Sequence, residues 1–193
     1  MKDRHLKIKR GIDVFVSALL LVVLSPLLIA TAVTIILTMP GPVFFLQQRV
    51  GRAEAPYVIF KFRSMKADAE AENNFAFDKD EERLTAFGRT IRRLKVDELP
   101  QLFNVLKGDM SLVGPRPTIE QQTRQYNARE KQRLGMRPGM TGFAQVNGNT
   151  SLSWEERIEY DIEYVRRFSL FLDMKILLKT LLIVVLGEER FKK

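Results

Sequence analysis

The feature that most constrains this chain is a long stretch without charge. From Val14 to Gln48 there is no charged side chain. Its core, Val14 to Met39, would run roughly 39 Å as a straight helix at ~1.5 Å per residue, longer than the ~30 Å hydrocarbon core of a bilayer. The run has no polar face with which to sit on a soluble core. It is too long for a signal peptide, and no small-residue cleavage site follows it. Ser25-Pro26 interrupts it near the middle. Proline removes one helical hydrogen bond and clashes with the preceding turn, and Ser25 is placed to take a freed carbonyl. Lys2, Arg4, Lys7, Lys9 and Arg10 precede the segment, and Arg49, Arg52, Lys61 and Arg63 follow it. Such residues collect on the cytoplasmic side of membrane segments, and a single crossing would put one group on the wrong side. A helix that enters, bends at Ser25-Pro26 and returns satisfies both groups. A kinked spanning helix is the alternative.

Absences narrow the chemistry. The chain has no cysteine, and its one histidine, His5, lies in the basic N-terminal tail. Disulfides, thiolate nucleophiles, histidine bases and ordinary zinc sites are therefore excluded. Carboxylates, lysines, arginines, hydroxyls or a hard cation remain. The formal net charge of +8, from 31 basic and 23 acidic residues, points to anionic partners: nucleic acid, acidic headgroups or phosphorylated small molecules.

The 193 residues, 46% hydrophobic, suit one domain. Residues 1–40 read as a basic tail with a membrane helix-break-helix, and 41–193 as a cytoplasmic catalytic part. The expected fold is α+β and mostly helical. A small β-hairpin spans 43–48 and 57–62, and amphipathic helices lie at the interface. Residues 66–83 read as a solvated acidic loop or short helix. Leu99 to Lys107 reads as a short helix stopped by Gly108, beginning at about Asp97-Glu98 because Pro100 fits only a first turn. A polar helix is expected from about Thr118 to Leu134. Ser153 with Glu156 forms a capping box before the stripe Trp154, Ile158, Ile162 and Val165. The apolar stretch Ser169 to Leu186 suits the membrane interface or the first helix.

The densest candidate site is Arg92, Arg93, Lys95, Asp97, Glu98 and Pro100. Two carboxylates at a helix start stay readily ionised beside the positive dipole end, where phosphate is also attracted. One carboxylate can attack while the other holds a cation. Taken alone, an Asp-Glu pair is more often a wet N-cap. Arg116, held between Pro115 and Pro117, presents a directed guanidinium suited to phosphate. Lys61 and Arg63 alternate with Phe60 and Phe62 and so leave one strand face. Arg137-Pro138-Gly139 with Gly142 makes another rigid basic loop.

These residues closely resemble the monotopic phosphoglycosyl transferases, the bacterial sugar transferase family. The ordered motifs are Lys9-Arg10 with Asp13, Ser25-Pro26, 61–65, Thr85-x-x-Gly88, 97–102, 104–111, 114–117, 137–139 and 142–145. The resemblance implies that Asp97 is the nucleophile, attacking the β-phosphate of a UDP-sugar and releasing UMP. A phosphoaspartyl sugar would then pass to polyprenyl (undecaprenyl) phosphate. It implies that Glu98 binds Mg²⁺. Lys61, Arg63, Arg92, Arg116, Arg137 and Gln145 would contact phosphate, nucleotide or headgroup. The first helix would be re-entrant, with its break at Ser25 and Pro26. The chain looks like the minimal catalytic form, attached to the cytoplasmic face of the bacterial inner membrane. Membrane lipid and a second copy of the chain are counted among candidate partners. Nucleic acid is not, since no nucleic-acid-binding motif is evident. The competing reading is a non-enzymatic, membrane-anchored anion-binding module.

Overall fold

A computed structural model of the chain describes residues 2–66 and 83–187. Apart from its two ends, the acidic 66–83 stretch lies outside the described residues. Helix α1 covers Lys2–Val23 and α2 covers Ser25–Thr38, with a bend of 62° between them. The cause is local. Pro26 has no N–H for the carbonyl of Val22, and the Ser25 hydroxyl donates to that carbonyl instead, at 2.8 Å. No single described helix is long and apolar enough to cross a membrane, but this bent pair qualifies by length and composition.

The hairpin is formed by β1 (Phe44–Val50) and β2 (Pro56–Phe62), antiparallel with Phe44 opposite Phe62 and Val50 opposite Pro56. Helix α3 (Ala86–Arg93) is capped by the Thr85 hydroxyl on the Gly88 amide. A side chain at residue 88 would lie 1.8 Å from the Ser64 carbonyl oxygen, so glycine lets α3 sit on the end of the hairpin. A 3₁₀ turn, Val96–Glu98, then leads into α4 (Gln101–Lys107). The expected helix therefore starts later than Asp97-Glu98, with Pro100 as its cap residue. Short strands β3 (Ser111–Val113) and β4 (Gly139–Thr141) pair in parallel. Helices α5 (Glu120–Thr123), α6 (Phe143–Val146), α7 (Trp154–Arg167) and α8 (Leu170–Leu186) follow.

The expected polar helix over 118–134 is not continuous. It is replaced by α5 and a separate 3₁₀ segment, Glu130–Gly135. The Asn127 side chain accepts from the amides of Arg129 and Glu130 at 2.9 and 3.0 Å, a local turn that competes with helix propagation. Thr118 is meanwhile drawn into an extended bridge with Val50. The capping box at Ser153 and Glu156 forms as expected, and Ile158 and Ile162 are buried beneath α7.

Two apolar clusters position the turn that carries Asp97 and Glu98. Leu102, Val105, Met110, Val113, Tyr164 and Ile176 join α4, β3, α7 and α8, with Val16 and Leu20 of α1 against them. Ile35, Met39, Phe62, Ile91 and Val96 join α2, β2, α3 and the turn itself. Each fully buried aliphatic side chain contributes ~1.5–3 kcal/mol, so Val96 anchors the backbone from which Asp97 and Glu98 depart. The other faces of α1, α2 and α8 remain open. Phe15, Val22, Ile29, Leu37, Phe171, Leu181 and Val185 are each at least 61% exposed.

Candidate active site

The turn between α3 and α4 is tightly reversed. Lys95 is left-handed at φ 57°, and it sends Val96 into the core and the two following carboxylates apart. Asp97 is only 7% exposed, and its Oδ1 has no hydrogen-bond partner. Burial, then the neighbouring Glu98 charge, pushes its pKa up to about 6, against the opposing pull of Lys61, Arg92 and Lys95. The readily ionised carboxylate expected from a helix dipole is thus overridden by desolvation. Glu98 behaves in the opposite way. Its burial alone would raise the pKa, but Lys61, whose Nζ donates to Oε1 at 2.7 Å, and then Arg116 and Lys95 bring it below the usual carboxylate range.

Lys61 is held over Glu98 by the strand beneath it. Asn104 of α4, fully buried, accepts from the Phe60 amide and donates to the Val58 carbonyl at 3.0 and 2.7 Å. It locks β2 to α4 as another strand would. Arg116 and Gln145 arrive from the other side. Here the backbones of 114–117, 137–139 and 142 press together. A Cβ at residue 114 would lie 2.3 Å from the Arg137 oxygen, one at 139 would lie 2.1 Å from the Gly114 nitrogen, and one at 142 would lie 2.1 Å from the Gly114 oxygen. Only glycine permits this approach, which brings Arg116 and Gln145 to one cavity.

That cavity, about 70 Å³, is lined by Lys61, Glu98, Gln101, Arg116, Gln145 and Arg49. A second cavity of about 300 Å³ shares Glu98, Arg116, Met140 and Gln145 with it, then continues along Leu20, Leu99, Leu112, Leu177 and Ile183 toward α1 and α8. A polar, cationic chamber therefore opens into an apolar groove that reaches the exposed apolar helices.

Comparison with known proteins gives the family. Residues 4–187 fit the model of the bacterial sugar transferase family. The chain belongs to that family. It is 42% identical over 181 residues to the uncharacterized sugar transferase EpsL of Bacillus subtilis, covering 94% of this chain and 89% of that protein. It is 45% identical over 188 residues to the UDP-N-acetylgalactosamine-undecaprenyl-phosphate N-acetylgalactosaminephosphotransferase of Aeromonas hydrophila, covering 93% of this chain and 44% of the relative. It is 40% identical over 198 residues to the UDP-glucose:undecaprenyl-phosphate glucose-1-phosphate transferase of Xanthomonas campestris, covering 97% and 41%. The chain thus spans nearly all of the first relative and less than half of the other two.

In this transferase the expected phosphate-binding residues do not all converge. Lys61, Arg116 and Gln145 line the chamber. Arg92 lies on the Asp97 side, its Nε donating to the Ser64 hydroxyl at 3.0 Å while its charge draws Asp97 down. Arg63 is displaced from the site. β2 ends at Phe62, and the buried Arg63 guanidinium turns back to donate to the carbonyls of Met39 and Pro40, closing the end of α2. Lys61 and Arg63 therefore diverge rather than sharing a working face. Arg137 is likewise occupied elsewhere: its Nε donates to the Gly108 carbonyl at 2.7 Å, next to Arg10, which donates to the Leu106 carbonyl at 2.8 Å. Both guanidinia cap the C-terminal end of α4, where carbonyls lack helical partners.

The site also holds residues that the sequence motifs do not mark. Arg49 lines the chamber; in the sequence it served only as a charge flanking the membrane segment. Arg133 and Asp161 form a buried ion pair, 1% and 0% exposed. Asp161 accepts from the Arg116 amide at 3.1 Å, and Arg133 donates to the Arg116 carbonyl at 3.0 Å. The Arg133 guanidinium also lies 5.6 Å from the ring centres of both Tyr126 and Trp154. The pair grips the backbone on both sides of Arg116. No local motif in the sequence signals a contact between residues so far apart along the chain.

Proposed function

We propose that this transferase moves a sugar 1-phosphate from a UDP-sugar to a polyprenyl phosphate of the undecaprenyl type, releasing UMP. The observation that carries the reading is the junction of two environments at Glu98 and Arg116: a cationic chamber on one side and an apolar groove leading to α1 and α8 on the other. A soluble phosphorylated donor suits the first, and a lipid tail with a phosphate head suits both together. The names of the Aeromonas and Xanthomonas relatives point the same way.

In this reading an Asp97 oxygen attacks the β-phosphorus of the donor. The bond from that phosphorus to the bridging oxygen breaks, and UMP leaves with the oxygen. A phosphate oxygen of the polyprenyl acceptor then attacks the same phosphorus. The aspartyl P–O bond breaks and the carboxylate is restored. A carboxylate raised to about 6 is a stronger nucleophile than an ordinary one and is still mostly ionised at neutral pH. Lys61 and Arg116 stabilise charge on the transferred phosphoryl group.

Mg²⁺ fits the donor set in a limited way. Among the described residues no group of three or more acidic or histidine side chains is placed to hold a metal. Two carboxylates are present, and Asp97 Oδ1 is without a partner. That suits an ion bound by one or two carboxylates together with substrate phosphates and water. Glu98 would hold it, and it would supply charge neutralisation at the diphosphate.

We place the α1–α2 pair in the membrane as a re-entrant element, with the catalytic part on the cytoplasmic face of the inner membrane. Basic groups on both flanks, the 62° bend and the exposed apolar faces of α1, α2 and α8 support this placement.

The test is intact-protein mass after incubating nanodisc-held protein with Mg²⁺ and a panel of UDP-sugars, without acceptor. A sugar-phosphate adduct with one donor, absent in Asp97→Asn, is expected. UMP release that persists in Asp97→Asn without an adduct would overturn the nucleophile. Anion binding with no adduct and no UMP from any donor would favour a binding module.

A further inference from the structure

A polar groove of about 570 Å³ lies between the hairpin and α5 and shares no lining residue with the apolar groove. Its lining includes Gln47, Gln48, Glu120, Gln121 and Arg124, and Arg49 belongs both to it and to the chamber. Arg49 is the passage between them. Its Nη2 donates to Gln47 Oε1, while its Nε is sealed from solvent with no partner. Burial and the nearby Arg116 charge lower its pKa, against Tyr57 and Glu98. Arg49 and Arg116 both line the chamber, and an anion between two guanidinia can accept from both.

Resting on the function proposed above, we propose that this polar groove seats the nucleoside half of the donor, with Arg49 on the phosphate that leaves. Its volume is in the usual range for a small-molecule site. Glutamine side chains offer donor and acceptor together, the pattern that matches a uracil edge, which presents an N–H between two carbonyls. Among the groove's lining residues there is no aromatic platform of the kind a purine would stack on. The rim is held by the ion pair of Lys131 with Glu54 at 3.0 Å. Glu54 reaches it from a left-handed hairpin tip, at φ 65°. Donor and acceptor would then reach the carboxylates through different grooves, and UMP would leave by a path that the lipid does not block.

The experiment is equilibrium binding of UMP and of pyrophosphate to the full chain in nanodiscs, with photocrosslinking by 4-thiouridine monophosphate. Arg49→Gln is expected to weaken both ligands at least tenfold. Gln121→Trp, at an exposed position that fills the groove, is expected to weaken UMP about tenfold and leave pyrophosphate unchanged. Crosslinks should fall in peptides carrying 47–56 or 119–131. Unchanged UMP affinity in Gln121→Trp, or crosslinks confined to other segments, would overturn the groove assignment. Melting curves of both variants confirm that they are folded. UMP binding does not require turnover, so the two readings fail separately. Groove binding with neither a sugar-phosphate adduct nor UMP release from any donor would defeat the function and leave the groove standing. Adduct formation with groove-independent UMP binding would do the reverse.

Discussion

Two buried polar clusters in this molecule contrast sharply. In the first, Lys9 of α1 pairs with Asp173 of α8 at 2.7 Å, Asp13 accepts from the Ser111 hydroxyl and the Leu112 amide, and Tyr164 donates to Asp173 at 2.7 Å. None of these side chains is left with an unpartnered buried atom. In the second, made of the turn residue Asp97 and the chamber that its neighbour Glu98 lines with Arg49 and Gln145, the Oδ1 of Asp97, Nε of Arg49 and Oε1 of Gln145 all lack partners. A satisfied buried network is a joint; here it fastens the apolar helices to the catalytic body. A network left incomplete stores a cost that a ligand can relieve, and such sites are where function concentrates.

Asp173→Ala gives the largest test of the joint. It removes the 2.7 Å partner of the buried Lys9 charge, leaving Asp13 at 3.6 Å, and also removes the acceptor of the Tyr164 hydroxyl; it is expected to cost ~3 kcal/mol of unfolding free energy in chemical denaturation. Transfer per folded molecule should hardly change. A cost below ~1 kcal/mol would mean that the cluster is not what fastens α8 to α1.

Asp97→Asn should move stability the other way. A carboxyl whose folded pKa is raised favours the folded state only while protonated; that contribution is complete below about 3.8 and lost as pH rises through about 6. At neutral pH the ionised Asp97 therefore costs up to ~3 kcal/mol, about two pKa units at 1.36 kcal/mol each. Asparagine should raise the melting temperature at pH 7 and give little gain near pH 4, while transfer is lost. A melting temperature at pH 7 that stays the same or falls would break the contrast.

The Arg133–Asp161 pair stands between the two clusters, because it grips Arg116 yet retains unpartnered atoms of its own at Arg133 Nε and Asp161 Oδ1. Asp161→Asn is expected to slow donor turnover roughly tenfold, equal to ~1.4 kcal/mol. In an Arg116→Ala background that loss should nearly vanish, since the pair acts through Arg116. Additive losses would make it a purely structural pair. The smallest effect belongs to Ser153→Ala, remote from both clusters. Losing this cap is expected to cost ~1 kcal/mol and leave transfer unaltered.

What the chain determined by itself is local. The uncharged run, the Ser25-Pro26 break, the hairpin and the Ser153–Glu156 box are legible because each depends on neighbours within a few residues. The order of motifs likewise brought out Asp97, Glu98, Lys61, Arg116 and Gln145. What only the tertiary structure decided depends on desolvation and on partners far along the chain. Arg63 and Arg137 look like ligands in sequence, but orphaned carbonyls at the ends of α2 and α4 claim them. Arg49 looks like a membrane-flanking charge until the fold sets it beside Arg116 and Glu98. Asp97 and Glu98 are adjacent in sequence and carry the same charge. Burial raises the first and Lys61 lowers the second, because a carboxylate's pKa answers to the charges and solvent the fold places around it, and not to its neighbours in the chain alone.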